Sequence, residues 1–313
     1  MNDLTPNSSP VVRPFSEEPA VTVPVFRPPV SPEDQTMFFP NAEGTPPPDP
    51  PARIPHLGHA ALFLAIAGVL LLLTQLIFLA LGHPASTAKA LSPKILVGSE
   101  ALAYIATLAI SWFTFPFLWK RSFADGIQAN PDAARRNALR LIPMGLILSF
   151  AVQAISSLAT MPKDIPMDDF FRTASDVWLV TAFGTLLAPL FEEILFRGFL
   201  LPAFAIAYDW LSLPRTPAAL EAWHSNNKLT RPALIFSAVL TSILFAALHG
   251  QQTAFAWPVL ILLFCVSLVL SYVRLRLRSV MASTLIHVSY NATIFLFAFA
   301  ATGGYRHLDK IAH

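Results

Sequence analysis

The sequence predicts an all-α fold: a polytopic transmembrane helix bundle of about seven spans, with six to eight admissible by counting apolar runs, behind a disordered proline-rich N-terminal tail. Three observations predict it. Of the 313 residues, 54% are hydrophobic and only 13% are charged, where a soluble domain carries about 25% charged residues. The apolar residues are gathered into blocks, several of them near the roughly 20 residues needed to cross a bilayer core. The prolines are concentrated at one end. The net charge of +2 is too small to suggest a nucleic-acid partner. A single cysteine, Cys265, excludes an intramolecular disulfide and any cysteine-based metal site. Within an apolar run it reads as a small buried or lipid-facing residue.

The first 57 residues hold 15 of the 28 prolines and no apolar stretch long enough for a signal-peptide core. Proline fixes φ and lacks a backbone donor, so a segment such as TPPPDPPARIP builds neither helix nor sheet. Residues 1–55 are therefore expected to form a disordered tail leaning towards polyproline II. Such a tail can dock an SH3-like partner, although a solvated tail is the plainer reading and no partner is named by the residues. The chain then divides into N-terminal transmembrane helices over 56–176, a second helix bundle over 177–300 and a short tail over 301–313.

Seven apolar runs follow the tail, at 58–81, 95–119, 138–160, 177–201, 233–249, 255–273 and 280–300. The fifth is short, and the second carries Glu100 near its start. Counted from residue 53, placing the N-terminus on one side puts twelve Lys and Arg residues there and six on the other. The cluster RLRLR at 274–278 is the firmest part of that difference. By the positive-inside rule the N-terminus is expected in the cytoplasm, and an odd number of spans then puts the C-terminus outside. Residues 125–140 are charged and suit an interfacial piece. Residues 208–231 mix Trp210, Leu213, Leu220 and Trp223 with polar residues, as interfacial aromatic anchors do.

The fourth run contains LFEEILFRGF, residues 190–199. A charged side chain near the bilayer centre costs at least about 2.5–3.5 kcal/mol on insertion scales, so Glu192, Glu193 and Arg197 need a reason to be there. Glu193 and Arg197 are four residues apart and share a helix face, where they can pair. Glu192 is turned about 100° from Glu193 and is expected to point elsewhere. A carboxyl without a paired cation suits a general acid or base. A buried Glu–Arg pair that only fixes helix packing, and a pumping or substrate-binding carboxylate, also fit this run taken alone.

Two other runs carry polar groups at helical spacing. The fifth ends ILFAALHG, with Phe245 and His249 four apart. The seventh contains LIHVSYNAT, with His287 and Asn291 four apart. Singly, each histidine reads as a structural hydrogen bonder and Asn291 as helix–helix glue. Together they offer a carboxylate, two imidazoles and an amide donor with little competing polarity. That set can activate a water and stabilise an oxyanion. One Glu and two His also match a three-ligand Zn2+ site with an open position.

The three motifs EExxxR (EEILFR, 192–197), FxxxH (FAALH, 245–249) and HxxxN (HVSYN, 287–291), in this order, resemble the CPBP intramembrane proteases, also called the Abi or type II CAAX prenyl endopeptidase family. The resemblance covers about 125 residues, 177–300, and not the tail or the first three runs. It implies a helical-bundle endopeptidase that hydrolyses peptide bonds within or beside the bilayer. Glu192 and His249 would activate the water, and His287 and Asn291 would stabilise the oxyanion. Glu193 and Arg197 would support them, with Phe245 opening the second motif. The family's metal use is described in two ways. In one, Glu192, His249 and His287 ligate zinc; in the other, the glutamate works without metal. Implied substrates are peptides or lipidated proteins at the lipid surface: prenylated CAAX proteins, or peptides of bacteriocin-related processing in bacterial members. The short tail and the lack of an organelle signal fit a bacterial inner membrane. Proton-coupled transport and a non-catalytic membrane scaffold are the alternatives from other classes.

Depth is the one conflict. At about 1.5 Å per residue, Glu192 and His287 lie roughly 14 and 11 Å from the cytoplasmic end of their runs, but His249 lies roughly 24 Å in. Either the fifth helix enters near 237–240 and continues through 251–253, or it breaks at Gly250 where the backbone is buried in protein.

Overall fold

The computed structural model describes residues 53–81, 93–158, 170–171 and 173–310. The tail expected over 1–55 lies outside the described residues as far as residue 52, and so do Lys89, Lys163 and Arg172, three of the charges behind the orientation argument. Among the described residues every regular element is a helix. Seven helices are long and apolar enough to cross a membrane, matching the seven apolar runs.

Helix α1, Leu57–Leu81, is apolar all round, and Val69, Leu72 and Ile77 on it are more than half exposed. That surface suits lipid rather than water. Helix α2, Pro93–Trp119, packs along α1. A one-turn helix α3, Phe123–Gly126, follows, its N-terminus capped by Ser122, which accepts from the Asp125 N–H. Helix α4, Pro131–Ser156, starts seven residues earlier than its apolar run. The polar residues 131–137 form its first turns because Asn130 accepts from the Ala133 N–H and Pro131 supplies a preset φ. Residues 125–140 are thus a turn and a helix start.

Helix α5, Ala174–Ser212, is continuous over 39 residues and is the main departure from the expected limits. Its run was expected to stop at 201. Helix α6, Pro217–Ser225, then turns back, with Trp223 against Trp210 at 5.4 Å between ring centroids. Helix α7, Arg231–Leu248, leads through a single 3-10 turn, Gln251–Thr253, to α8, Trp257–Leu277, and α9, Val280–Ala301.

The depth conflict is resolved at α5. Helix α7 runs from Arg231 to Leu248 and breaks at His249 and the buried Gly250 before the 3-10 turn Gln251–Thr253, the second of the two expected arrangements. Thr230, its N-cap, is held by Asp209 near the far end of α5: the Thr230 N–H donates to Oδ2 at 2.9 Å and the hydroxyl to Oδ1 at 2.5 Å. From that clamp, Glu193 lies about 24 Å along α5 and Phe245 about 22 Å along α7. The two motifs therefore meet at one level because α5 continues past the end of its apolar run to the clamp at Asp209.

Two clusters form the core. Around Phe199 of α5, aromatic rings from α1, α2 and α3 close together: Phe63 at 4.4 Å, Phe115 at 4.9 Å, Trp119 at 5.9 Å and Phe123 at 6.1 Å. On the other side α4, α8 and α9 interlock through Leu141, Leu270 and Ile286. Gly145 lets α4 touch the backbone of α9. A Cβ there would stand 2.6 Å from the Ile286 carbonyl oxygen, one residue before His287. This is the small-residue packing typical of membrane helices.

Candidate active site

Helix α5 is not uniform where it carries the first motif. Residues Ala188–Glu193 are α-helical, and π-helical turns flank them at Phe183–Leu187 and Ile194–Leu200. Such wide turns rotate the residues beyond them relative to an ideal helix.

Glu193 and Arg197 pair as their spacing predicts. Arg197 Nη1 donates to Glu193 Oε1 at 2.8 Å, and both side chains are fully buried. The guanidinium is further held from α8, donating through Nη2 to Ser267 Oγ at 2.7 Å and to its carbonyl at 2.9 Å. This anchoring makes the pair a fixed object rather than a loose ion pair.

His287 of α9 lies between the two glutamates. Its Nδ1 is 3.0 Å from Glu193 Oε1 and its Nε2 is 3.8 Å from Glu192 Oε2. Glu192 was expected to point away from its neighbour's partners. It does leave the Arg197 pair, but both carboxylates converge on opposite edges of one imidazole. The ring is wide enough to span two positions that helix geometry separates. With Nδ1–H donated to Glu193, Nε2 is the atom turned towards Glu192 and the open side of the group. Glu192 is partly exposed; Glu193 is not.

Phe245 of α7 is buried at the centre. Its ring stands 4.6 Å from His249, 5.9 Å from His287 and 5.0 Å from the Arg197 guanidinium carbon. It sets the spacing of the two histidines and covers the cation. His249 closes the C-terminus of α7, and its Nδ1 lies 2.8 Å from the Phe245 carbonyl. Donation there leaves Nε2 free to accept a proton. Asn291 is on the same helix as His287, one turn on, but its Nδ2 donates to the Gly184 carbonyl in the first π turn at 2.7 Å.

Among the described residues no three His, Cys, Asp or Glu side chains stand together as a metal-ligand set. Glu192 and His287 face each other across 3.8 Å, but His249 does not complete a triad with them, so no step below runs through a metal.

Glu100 and Tyr104 of α2 also border the site, and their role was not foreseen. The Tyr104 hydroxyl donates to Glu100 Oε1 at 2.7 Å. The Tyr104 ring stacks on Phe191, the residue before Glu192, at 3.7 Å and 7°. The signal was present in the sequence: a glutamate and a tyrosine four apart in an apolar run, the same spacing that pairs Glu193 with Arg197.

A family model described as "Rce1-like: Type II CAAX prenyl endopeptidase Rce1-like" matches residues 174–293. No curated protein and no solved structure matches the chain. The matched segment begins at the first residue of α5, ends inside α9, and contains all of EEILFR, FAALH and HVSYN. Those three motifs supply the side chains that meet around His287 and Phe245, and residues 174–293 are similar to the type II CAAX prenyl endopeptidase Rce1-like family.

Proposed function

We propose that this multi-pass membrane protein is an intramembrane endopeptidase in which Glu192 activates water against a peptide bond. The observation that carries this reading is the grouping of Glu192, Glu193 and His287, with His249 held beside them by Phe245. In the proposed reaction a water gives a proton to Glu192 while its oxygen adds to the scissile carbonyl carbon. The Nε2 of His249, left free by the Nδ1 contact to Phe245, accepts a hydrogen bond from the same water and orients it. The carbonyl oxygen becomes an oxyanion. On this reading it is met by the Nε2–H of His287 in its doubly protonated form, whose Nδ1–H stays on Glu193, and by the second amide hydrogen of Asn291, the first being on Gly184. The C–N bond then breaks, and Glu192 returns its proton to the leaving amine nitrogen. Glu193 and Arg197 hold His287 in place and do not touch the substrate.

For the substrate we propose a prenylated Cys-a-a-X peptide or protein segment presented at the bilayer surface. The family of the matched segment and the embedded, partly open position of Glu192 support it. We further propose a cytoplasmic N-terminus, supported by the excess of Lys and Arg on that side. Mass spectrometry of a farnesylated Cys-a-a-X peptide incubated with the protein in liposomes in 18O-water tests the function. A new C-terminal carboxyl carrying one 18O is expected; an intact peptide under conditions where the protein is folded would refute the reading.

A further inference from the structure

The two π turns of α5 end alike. Phe183–Leu187 is followed by Ala188 and Pro189, and Ile194–Leu200 by Leu201 and Pro202. In each, the last donor reaches back five residues: the Ala188 N–H to the Phe183 carbonyl, and the Leu201 N–H to the Phe196 carbonyl. The next carbonyls are those of Gly184 and Arg197. Their donor four residues on is already used. Their donor five residues on would be Pro189 and Pro202, whose nitrogens carry no hydrogen. Within a bilayer no water replaces the missing bond, so a side chain must.

Both carbonyls are met from another helix. Asn291 of α9 donates through Nδ2 to Gly184 at 2.7 Å, and Arg274 of α8 donates through Nε to Arg197 at 3.3 Å. Arg274 belongs to the basic cluster RLRLR, yet it is buried while Arg276 and Arg278 are exposed. Its other nitrogens hold the Ile127 carbonyl at 3.3 Å and Gln128 Oε1 at 3.1 Å. The same short segment receives the root of α9, with the Val280 N–H on the Gln128 carbonyl and the Met281 N–H on that of Ala129, each at 3.0 Å.

We propose that Arg274 is a positioning residue for the reaction at Glu192: it replaces the hydrogen bond that Pro202 cannot make, and so holds the second π turn and the root of α9 in the register that brings Arg197, Glu193 and His287 together. It is the counterpart, on the second turn, of what Asn291 does on the first. The guanidinium touches neither the reacting water nor the substrate. Its effect on catalysis rests on the endopeptidase reading; its effect on the turn does not.

The test restores the missing donor. Pro202→Ala returns an N–H to the position from which it can reach the Arg197 carbonyl. The full-length protein in liposomes, with a farnesylated Cys-a-a-X peptide as probe, is compared as wild type, R276M, P202A, R274M and P202A/R274M. R276M and P202A are expected to keep the wild-type rate. R274M is expected to lower kcat about ten-fold at a KM changed less than about two-fold, and the double variant to regain at least about three-fold. A wild-type kcat in R274M, or no recovery in the double variant, overturns the proposal. If R274M does not accumulate in the membrane, recovery of its yield by P202A is the readout, and no recovery overturns the proposal. If the wild type leaves the peptide intact, the endopeptidase reading fails, and amide exchange over residues 196–203 decides the rest. Faster exchange in R274M that P202A slows again supports the splint; exchange unchanged by R274M overturns it.

Discussion

At the scale of the residue, the fully buried Arg197 is held by one carboxylate, one hydroxyl and one carbonyl. Removing one partner of such a pair leaves an uncompensated charge, at a cost of about 3–5 kcal/mol, whereas removing both is far milder. R197M should therefore lower the unfolding midpoint in detergent more than E193Q/R197M does; equal losses would mean that the pair is not the source of the effect. The i,i+4 spacing made this pair legible from sequence alone. The destination of Glu192 was not legible, because it depends on where α9 places an imidazole 95 residues downstream in the chain. Arg274 was hidden by its company. Three arginines in RLRLR look alike, and only the packing of α8 turns the first inward.

At the scale of the element, the decisive quantity is the length of α5. The apolar run was expected to stop at 201, but Pro202 directly after a π turn does not end the helix, and Asp209 is spent on holding Thr230, the N-cap of α7. D209A removes two hydrogen bonds from the start of α7 and should cost about 1–3 kcal/mol, read as a lower midpoint for thermal unfolding. It should also reduce activity by letting His249 drift from the level of Glu192. Undisturbed activity in a destabilised D209A would show that the clamp does not set the depth. A second element-level test lies at Gly145. G145V forces side-chain atoms into the backbone of α9 beside His287, with an overpacking cost of about 1–3 kcal/mol. Activity should fall even in preparations that remain folded by circular dichroism, and retention of wild-type activity would contradict the close approach. Helix number and order were legible from the apolar runs. The π turns were not, because nothing in the local composition of 183–200 distinguishes a four-residue from a five-residue hydrogen bond.

At the scale of the whole molecule, seven helices long and apolar enough to cross a membrane predict that residues 53 and 307 lie on opposite faces of it. The lone cysteine lies exposed on α8, so a C265S background lets single cysteines report topology. A cysteine at position 53 and one at position 307 should be labelled by a membrane-impermeant reagent from opposite sides of sealed vesicles. Labelling from the same side would remove or add a span. The bundle brings together three motifs that the chain keeps apart, and it seats the partly exposed carboxylate of the first motif beside the His287 imidazole, with His249 against the same Phe245 ring as His287. The most direct measurement of what that arrangement is for is the kcat of E192Q on a farnesylated Cys-a-a-X peptide in liposomes, beside wild type and with matched folding. Loss of the water-activating base predicts a fall of about a thousand-fold or more. An E192Q rate within about ten-fold of wild type would contradict it.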